Sequence, residues 1–236
     1  MGKFSGILLA SDLDGTLLSG HKTVSAGNRQ AIEYFMAEGG LFCPATGRSL
    51  HGFATVEPEV PYNTPCVLFN GSCVYDYASG EAVRTAPLRG SYVQACREVL
   101  DAFPELPLEV HNLHMTYVYR GTAFNDEHMR VIGAPYAAAA LADIPQPWLK
   151  AVFCDEHDIL RAVQRWMRKR YGGIFDCVFS HKYLLELQDL VANKGDQVAY
   201  VAKRFGVRRV YAVGDGENDL SLARFELFAP QMPNGR

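Results

Sequence analysis

Ile7-Leu8-Leu9-Ala10-Ser11-Asp12-Leu13-Asp14-Gly15-Thr16-Leu17-Leu18 is the stretch whose reading decides the fold. It opens as a short apolar run of strand length, the pattern of a strand buried in a parallel sheet. Asp12 and Asp14 follow with one residue between them, so on an extended chain they share a face. Like charges held that close repel, and two arrangements justify them. One is a hard cation such as Mg2+, which takes oxygen ligands. The other is a split in which one carboxyl is ionised and its neighbour protonated. Gly15 lets the backbone leave the strand tightly, and Thr16 adds a hydroxyl. Taken alone, Asp-Leu-Asp-Gly also reads as a polar strand end with a turn, because Asp and Gly favour turns.

Working outward, strand-like and helical segments alternate. A helix is expected over about 24–38, with Ala31, Ile32, Phe35 and Met36 at helical spacing and Gly39-Gly40 as its stop. Strand 41–45 and a helix from about Ser49 follow, then a loop punctuated by Pro58, Pro61 and Pro65. Strand 66–70 ends at the turn dipeptide Asn70-Gly71, and 73–76 returns as a short strand. Such alternation means βαβ units and a parallel sheet. From about Glu81 the texture changes: strand-like runs at Leu108–His111, Thr116–Tyr119, Leu149–Cys154, Ile174–Ser180 and Tyr183–Leu187 mix with helices near 91–103, 124–132 and 156–170. The Tyr117/Tyr119 alternation and an antiparallel pair around His181-Lys182 indicate an α+β layer. The chain then returns to helix 194–205, strand 208–213, helix 219–225 and a short strand 226–229.

The opening stretch resembles the first motif of the haloacid-dehalogenase-like hydrolases. The family's three further motifs have matches in the right order: Ala45-Thr46-Gly47-Arg48, Asn193-Lys194-Gly195, and Val213-Gly214-Asp215-Gly216-Glu217-Asn218-Asp219-Leu220. With Phe69-Asn70-Gly71, these motifs look like the Cof-like subgroup, mostly phosphatases of sugar phosphates and other small metabolites. The resemblance implies an α/β fold: a doubly wound, Rossmann-like core over 1–81 and 189–236, with an α+β cap inserted at 82–188. Relatives continue past this point with another helix and strand, whereas the chain stops at Met232-Pro233-Asn234-Gly235-Arg236, leaving the sheet edge less covered.

Composition agrees with a soluble globular protein. The 236 residues hold one large or two modest domains, with 48% hydrophobic and 21% charged residues. A net charge of -3 without a basic block argues against nucleic acid or an anionic membrane as partner. Cys43, Cys66, Cys73, Cys96, Cys154 and Cys177 are scattered and mostly sit in apolar runs, as buried thiols of a reducing compartment do. The run Gly6–Ala10 is too short for a signal segment, and no apolar run reaches membrane-spanning length, so a cytoplasmic location is expected. No oligomeric state follows.

The resemblance also assigns chemistry. Asp12 would be the nucleophile, forming an aspartyl-phosphate, and Asp14 the general acid and then base. Asp12, Asp14 (through its carbonyl) and Asp215 would hold Mg2+, with Asn218 and Asp219 supporting the site; the same loop alone also reads as a helix cap. Thr46, Gly47 and Lys194 would bind the phosphate. Arg48 reads equally as a substrate contact or a helix-start brace, and Asn70 as a substrate contact or a hairpin anchor. His111, His114 and His181 are candidate substrate readers. For the first two, turn or surface positions are the favoured reading, and no carboxylate or thiol is spaced beside them to make a metal site. Arg120, Lys150 and Lys182 are weaker candidates, while Trp148–Phe153 and Trp166 read as cap core. The partner is a small phosphorylated metabolite. A sugar phosphomutase sharing the aspartyl-phosphate, or a low-turnover phospho-ligand-binding regulator, are the alternatives.

Overall fold

The computed structural model describes residues 2–89 and 92–227. In chain order its elements are β1 (Ile7–Ser11), α1 (Ala26–Ala37), β2 (Leu41–Pro44), α2 (Leu50–Ala54), β3 (Cys66–Leu68), β4 (Cys73–Asp76), β5 (Glu81–Thr85) and α3 (Tyr92–Ala102). Next come β6 (Leu108–His111), β7 (Thr116–Tyr119), α4 (Ala123–Ile132), β8 (Tyr136–Ala138), β9 (Lys150–Cys154) and α5 (His157–Tyr171). The last are β10 (Phe175–His181), β11 (Leu184–Asp189), α6 (Lys194–Arg204), β12 (Arg209–Val213) and β13 (Glu226–Leu227). Residues fall into two compact units, Met1–Gly47, Val56–Arg84 and Asn193–Arg236 in one, Arg48–Thr55 and Thr85–Ala192 in the other. Helix α2, which the sequence reading assigns to the core, therefore clusters with the second unit.

The first unit is built on a parallel sheet in the order β13-β12-β1-β2. β1 is central, and Leu8 and Ala10 are fully buried, as a strand with neighbours on both sides requires. β3 extends the order beyond β2 through the parallel bridge Ala45↔Val67 and pairs antiparallel with β4 in a three-stranded sheet, β3-β4-β5. Leu8, Cys43, Val67, Val198, Val201 and Ala212 meet in one core that holds α6 to the sheet. Ser11 stands opposite both Val213 and Pro44 in the register, so β1, β2 and β12 end at one level. The loops after these strands begin side by side.

The second unit is a six-stranded sheet in the order β10-β11-β9-β6-β7-β8, antiparallel except for β7 with β8. Its strands alternate. Leu108, Val110, Ala151, Phe153, Leu185 and Leu187 form a core with Trp148 and helices α3 and α5, while Glu109, His111, Lys150 and Glu186 have the opposite parity.

The strands at 108–111, 116–119 and 73–76 fall as read from the sequence. Two readings need correction. Asn70-Gly71 is not a two-residue hairpin turn but part of a tight turn, Phe69–Gly71, with Asn70 at φ 55°. The segment read as helix 219–225 is a 3₁₀ helix, Glu217–Arg224. β8 forms one edge of the second sheet. Residues 228–229 of the expected last strand and Ser91 of the expected helix lie outside the described residues. All six cysteines are buried, and none is joined in a disulfide. Among the described residues, no helix is long and apolar enough to cross a membrane.

Candidate active site

The site stands at the carboxyl ends of β1, β2 and β12, where a parallel sheet leaves its loops free to carry polar groups. Asp12 follows β1 directly and its backbone N–H donates to the Val213 carbonyl at 2.9 Å, which fixes it against β12. Its carboxylate is buried and accepts from Lys194 Nζ at 2.6 Å. The same ammonium donates to Asp219 Oδ1 at 2.7 Å. Lys194 itself is 0% exposed, at the start of α6, where Asn193 caps the helix by accepting from the Asp196 N–H at 2.8 Å. A fully buried lysine is tolerated only because two carboxylates answer its charge.

Asp219 has a second task. Its Oδ2 accepts the backbone N–H groups of Asp215 at 3.1 Å and Gly216 at 3.0 Å, so one carboxylate shapes the loop and orients the lysine. Asp215 accepts the Thr16 hydroxyl at 2.6 Å. Gly15 lies beneath it at φ +87°, and a Cβ there would stand 2.5 Å from Asp215 Oδ2. Glycine is required at that position both by the left-handed backbone and by the close approach.

One carboxylate oxygen each from Asp12, Asp215 and Asp219 lie within 4.8 Å of one another. Burial pushes the Asp12 carboxyl up to about 6, with Lys194 pulling it down and Asp219 pushing it up. Three carboxylates facing one ammonium leave an excess of negative charge, and an all-oxygen donor set suits a hard divalent cation such as Mg2+. Since Asp219 is committed to Lys194 and the loop, Asp12 and Asp215 are the better-suited ligands.

The remaining first-unit candidates gather nearby. Thr46 is buried, and its carbonyl accepts the Asn70 N–H at 3.0 Å. A Cβ on Gly47 would come within 2.8 Å of Asn70 Oδ1, which also accepts Asn218 Nδ2 at 2.9 Å. Asn70 thus ties the loop after β2 to the loop after β12. Asp14 is half-exposed and pairs with Lys22 at 2.7 Å.

Arg48 donates to the Gly52 carbonyl at 2.7 Å and so braces α2. His111 corrects the surface reading: it is a buried strand residue whose Nε2 lies 3.7 Å from Glu109 Oε2 and whose Nδ1 meets the Thr116 hydroxyl at 3.0 Å. Glu109 also accepts from Asn125 and His128. The carboxylate partner not seen from sequence sits two residues away on the same strand face, a period-2 signal. His114 is exposed in the β6–β7 turn, and His181 lies against Tyr183 at the end of β10. Lys150 pairs with Glu186 at 2.9 Å, both buried, Arg120 donates to the Pro104 carbonyl, and Lys182 lies over the Tyr183 ring. Lys22, which pairs with Asp14, is not among the residues the sequence reading singles out.

The haloacid dehalogenase-like hydrolase family matches residues 9–226. The chain belongs to the haloacid dehalogenase-like hydrolases. A curated relative is the 5-amino-6-(5-phospho-D-ribitylamino)uracil phosphatase YitU of Bacillus subtilis, 24% identical over 97% of this chain and 87% of that protein. Among solved structures, a haloacid dehalogenase-like hydrolase from Bacteroides thetaiotaomicron has a TM-score of 0.79 and 23% identity, covering 93% of this chain and 85% of that one. The subclass IIB sugar phosphatase BT4131 has a TM-score of 0.78 and 15% identity over 94% and 86% of the two chains. Membership makes the protein a hydrolase, and the likeness to solved structures confirms its α/β fold.

Proposed function

We propose that the protein is a Mg2+-dependent phosphatase that hydrolyses a small phosphorylated metabolite through an aspartyl-phosphate. The observation that carries this reading is the buried Asp12–Lys194–Asp219 triad beside Asp215. Phosphoryl transfer needs little covalent chemistry from a protein; it needs a placed nucleophile and neutralised charge. Asp12 is the nucleophile: with its pKa near 6 it is ionised at neutral pH, and its link to Lys194 fixes the rotamer. Lys194 neutralises charge that develops on the transferring group. The backbone N–H of Gly47 and the hydroxyl of Thr46 bind phosphate oxygens. Asp12 and Asp215 hold the Mg2+, which supplies charge neutralisation when bound. Asp14 delivers a proton to the leaving alcohol and later takes one from the attacking water.

The substrate is proposed to be a phosphate ester of a sugar or sugar-alcohol chain, the chemistry that the names of YitU and BT4131 carry. Substrate choice is assigned to the segment 82–188, where this sequence holds no family motif. The test is phosphate release across sugar phosphates, sugar-alcohol phosphates, nucleotides and phosphorylated cofactors, for the wild type and Asp12→Asn. The amide is nearly isosteric but a far poorer nucleophile, so a loss of at least about a thousandfold with an unchanged fold is expected. Residual turnover above one-tenth of wild type removes Asp12 from the role.

A further inference from the structure

Between β1 and α1 the chain makes a small hairpin. Leu18 bridges Val24 antiparallel, and the Ser19 N–H donates to the Thr23 carbonyl at 2.9 Å. Ser19 Oγ accepts the N–H groups of His21 at 3.2 Å and Thr23 at 3.4 Å, so the turn is tied from within. Lys22 closes it, donating its N–H to the Ser19 carbonyl at 2.9 Å. Its φ is 59°, the left-handed region that side-chain-bearing residues adopt rarely and at a cost. Glycine or asparagine is the usual occupant of such a position. A lysine there needs a reason, and its side chain supplies one: Nζ reaches back along the hairpin to Asp14 Oδ1 at 2.7 Å.

We propose that Lys22 is the positioning residue for Asp14, restraining its carboxyl through Oδ1. The inference rests on the reading of Asp14 as the proton carrier. In the first half of the reaction Asp12 bonds to phosphorus, the bond from phosphorus to the ester oxygen breaks, and that oxygen takes the proton from Asp14. In the second half Asp14 takes a proton from water, the water oxygen bonds to phosphorus, and the phosphorus–Asp12 bond breaks to release phosphate. Both proton transfers use the Asp14 carboxyl, and with Lys22 on Oδ1 its rotation is restrained through both halves.

Stability is not the function of this pair. The two side chains are 52% and 39% exposed, and ion pairs at that exposure add little to folding. The gain is orientation, in the step where a misplaced proton donor is costly. Nor does the hairpin need the ammonium for its shape, since its turn is closed by Ser19 and backbone groups.

The test measures kcat/KM, which reports the steps through enzyme phosphorylation, for a series of phosphate monoesters from an alkyl ester to p-nitrophenyl phosphate. A nitrophenolate leaves without a proton and an alkoxide does not, so only the alkyl end needs Asp14 as acid. Wild type, Lys22→Gly, Lys22→Arg and Asp14→Asn are compared. Asp14→Asn is expected to lose about a hundredfold or more on the alkyl ester and far less on the nitrophenyl ester. Lys22→Gly should follow the same slope at smaller amplitude, about three- to tenfold on the alkyl ester. Its thermal midpoint should be unchanged or raised, since glycine relieves the left-handed strain. Lys22→Arg should restore most of the alkyl rate. If Asp14→Asn shows the slope and Lys22→Gly does not, the inference falls while the reading of Asp14 stands. A Lys22→Gly protein that melts lower and slows every ester equally also overturns it, because the lysine is then merely structural. If Asp14→Asn itself shows no slope, the reading fails and the inference with it.

Discussion

Replacing Lys194 by Met keeps most of the side-chain volume and removes only the ammonium. That group contacts Asp12 at 2.6 Å and Asp219 at 2.7 Å, with the three side chains 0%, 7% and 6% exposed. Two buried carboxylates are then left beside Asp215, which is exposed. Breaking a buried ion pair by deleting one partner costs about 3–5 kcal/mol, because the remaining charge is unanswered. For a chain of this size about 2–4 °C of thermal midpoint corresponds to each kcal/mol, so the midpoint should fall by roughly 6–20 °C in EDTA. Divalent cation should restore part of the loss, since it binds the folded form and answers the same charge. The full loss of turnover should remain at about a hundredfold to a thousandfold or more, as for removal of a preorganised charge-stabilising donor. The assay is differential scanning fluorimetry with and without Mg2+, beside phosphate release. A Lys194→Met protein that melts within about 2 °C of wild type in EDTA refutes the reasoning, for the buried pair then carries no net charge balance.

Turnover should require Mg2+, vanish in excess EDTA and be inhibited by Ca2+, whose looser and higher coordination misplaces the nucleophile; a steady-state assay over metal titrations checks this. Gly15→Ala should cost at least about tenfold in kcat because its Cβ would press on Asp215 Oδ2, and unchanged kcat would show that the loop yields freely. Glu109→Gln should flatten the acid limb of the stability profile. Burial alone would raise the Glu109 carboxyl, but hydrogen bonds and charge from His111 and His128 hold it well below the usual range. Its contribution is therefore present above the unfolded carboxyl pKa, about 4.3, and is lost as pH falls below that value toward the folded one. Thermal midpoints from pH 7 to pH 2.5 should show wild type and Glu109→Gln converging at the acid end; a constant gap contradicts the linkage.

The motifs were readable because each sits at a strand end and chain order preserves them. What they assemble was not. Lys194 and Asp12 stand 182 residues apart, and no periodicity brings them together; only the family resemblance did. Asp219 read as a support residue, and its geometry explains why it matters: one carboxylate serves the lysine and two loop N–H groups. Lys22 escaped notice because a surface lysine in a turn has no sequence signature, and its left-handed backbone is visible only in coordinates. His111 was misread for a different reason. Its own strand was located correctly, but the alternation that buries Glu109 and His111 on one face was not followed to its consequence.

The charges of the site also constrain the order of events. Asp12, Asp215 and Asp219 against Lys194 leave the cluster with a formal excess of two negative charges when all are ionised. A phosphate monoester brings up to two more beside the buried Asp12 and Asp219, where charge is less screened than in water. Thr46 and Gly47, the proposed phosphate donors, carry no net charge, and Lys194 is already shared between two carboxylates. The chain's own residues therefore cannot balance the bound ester. A divalent cation, which Asp12 and Asp215 would hold, would supply the missing positive charge. On this argument EDTA should abolish binding of the ester as well as its turnover, a stronger consequence than loss of rate alone.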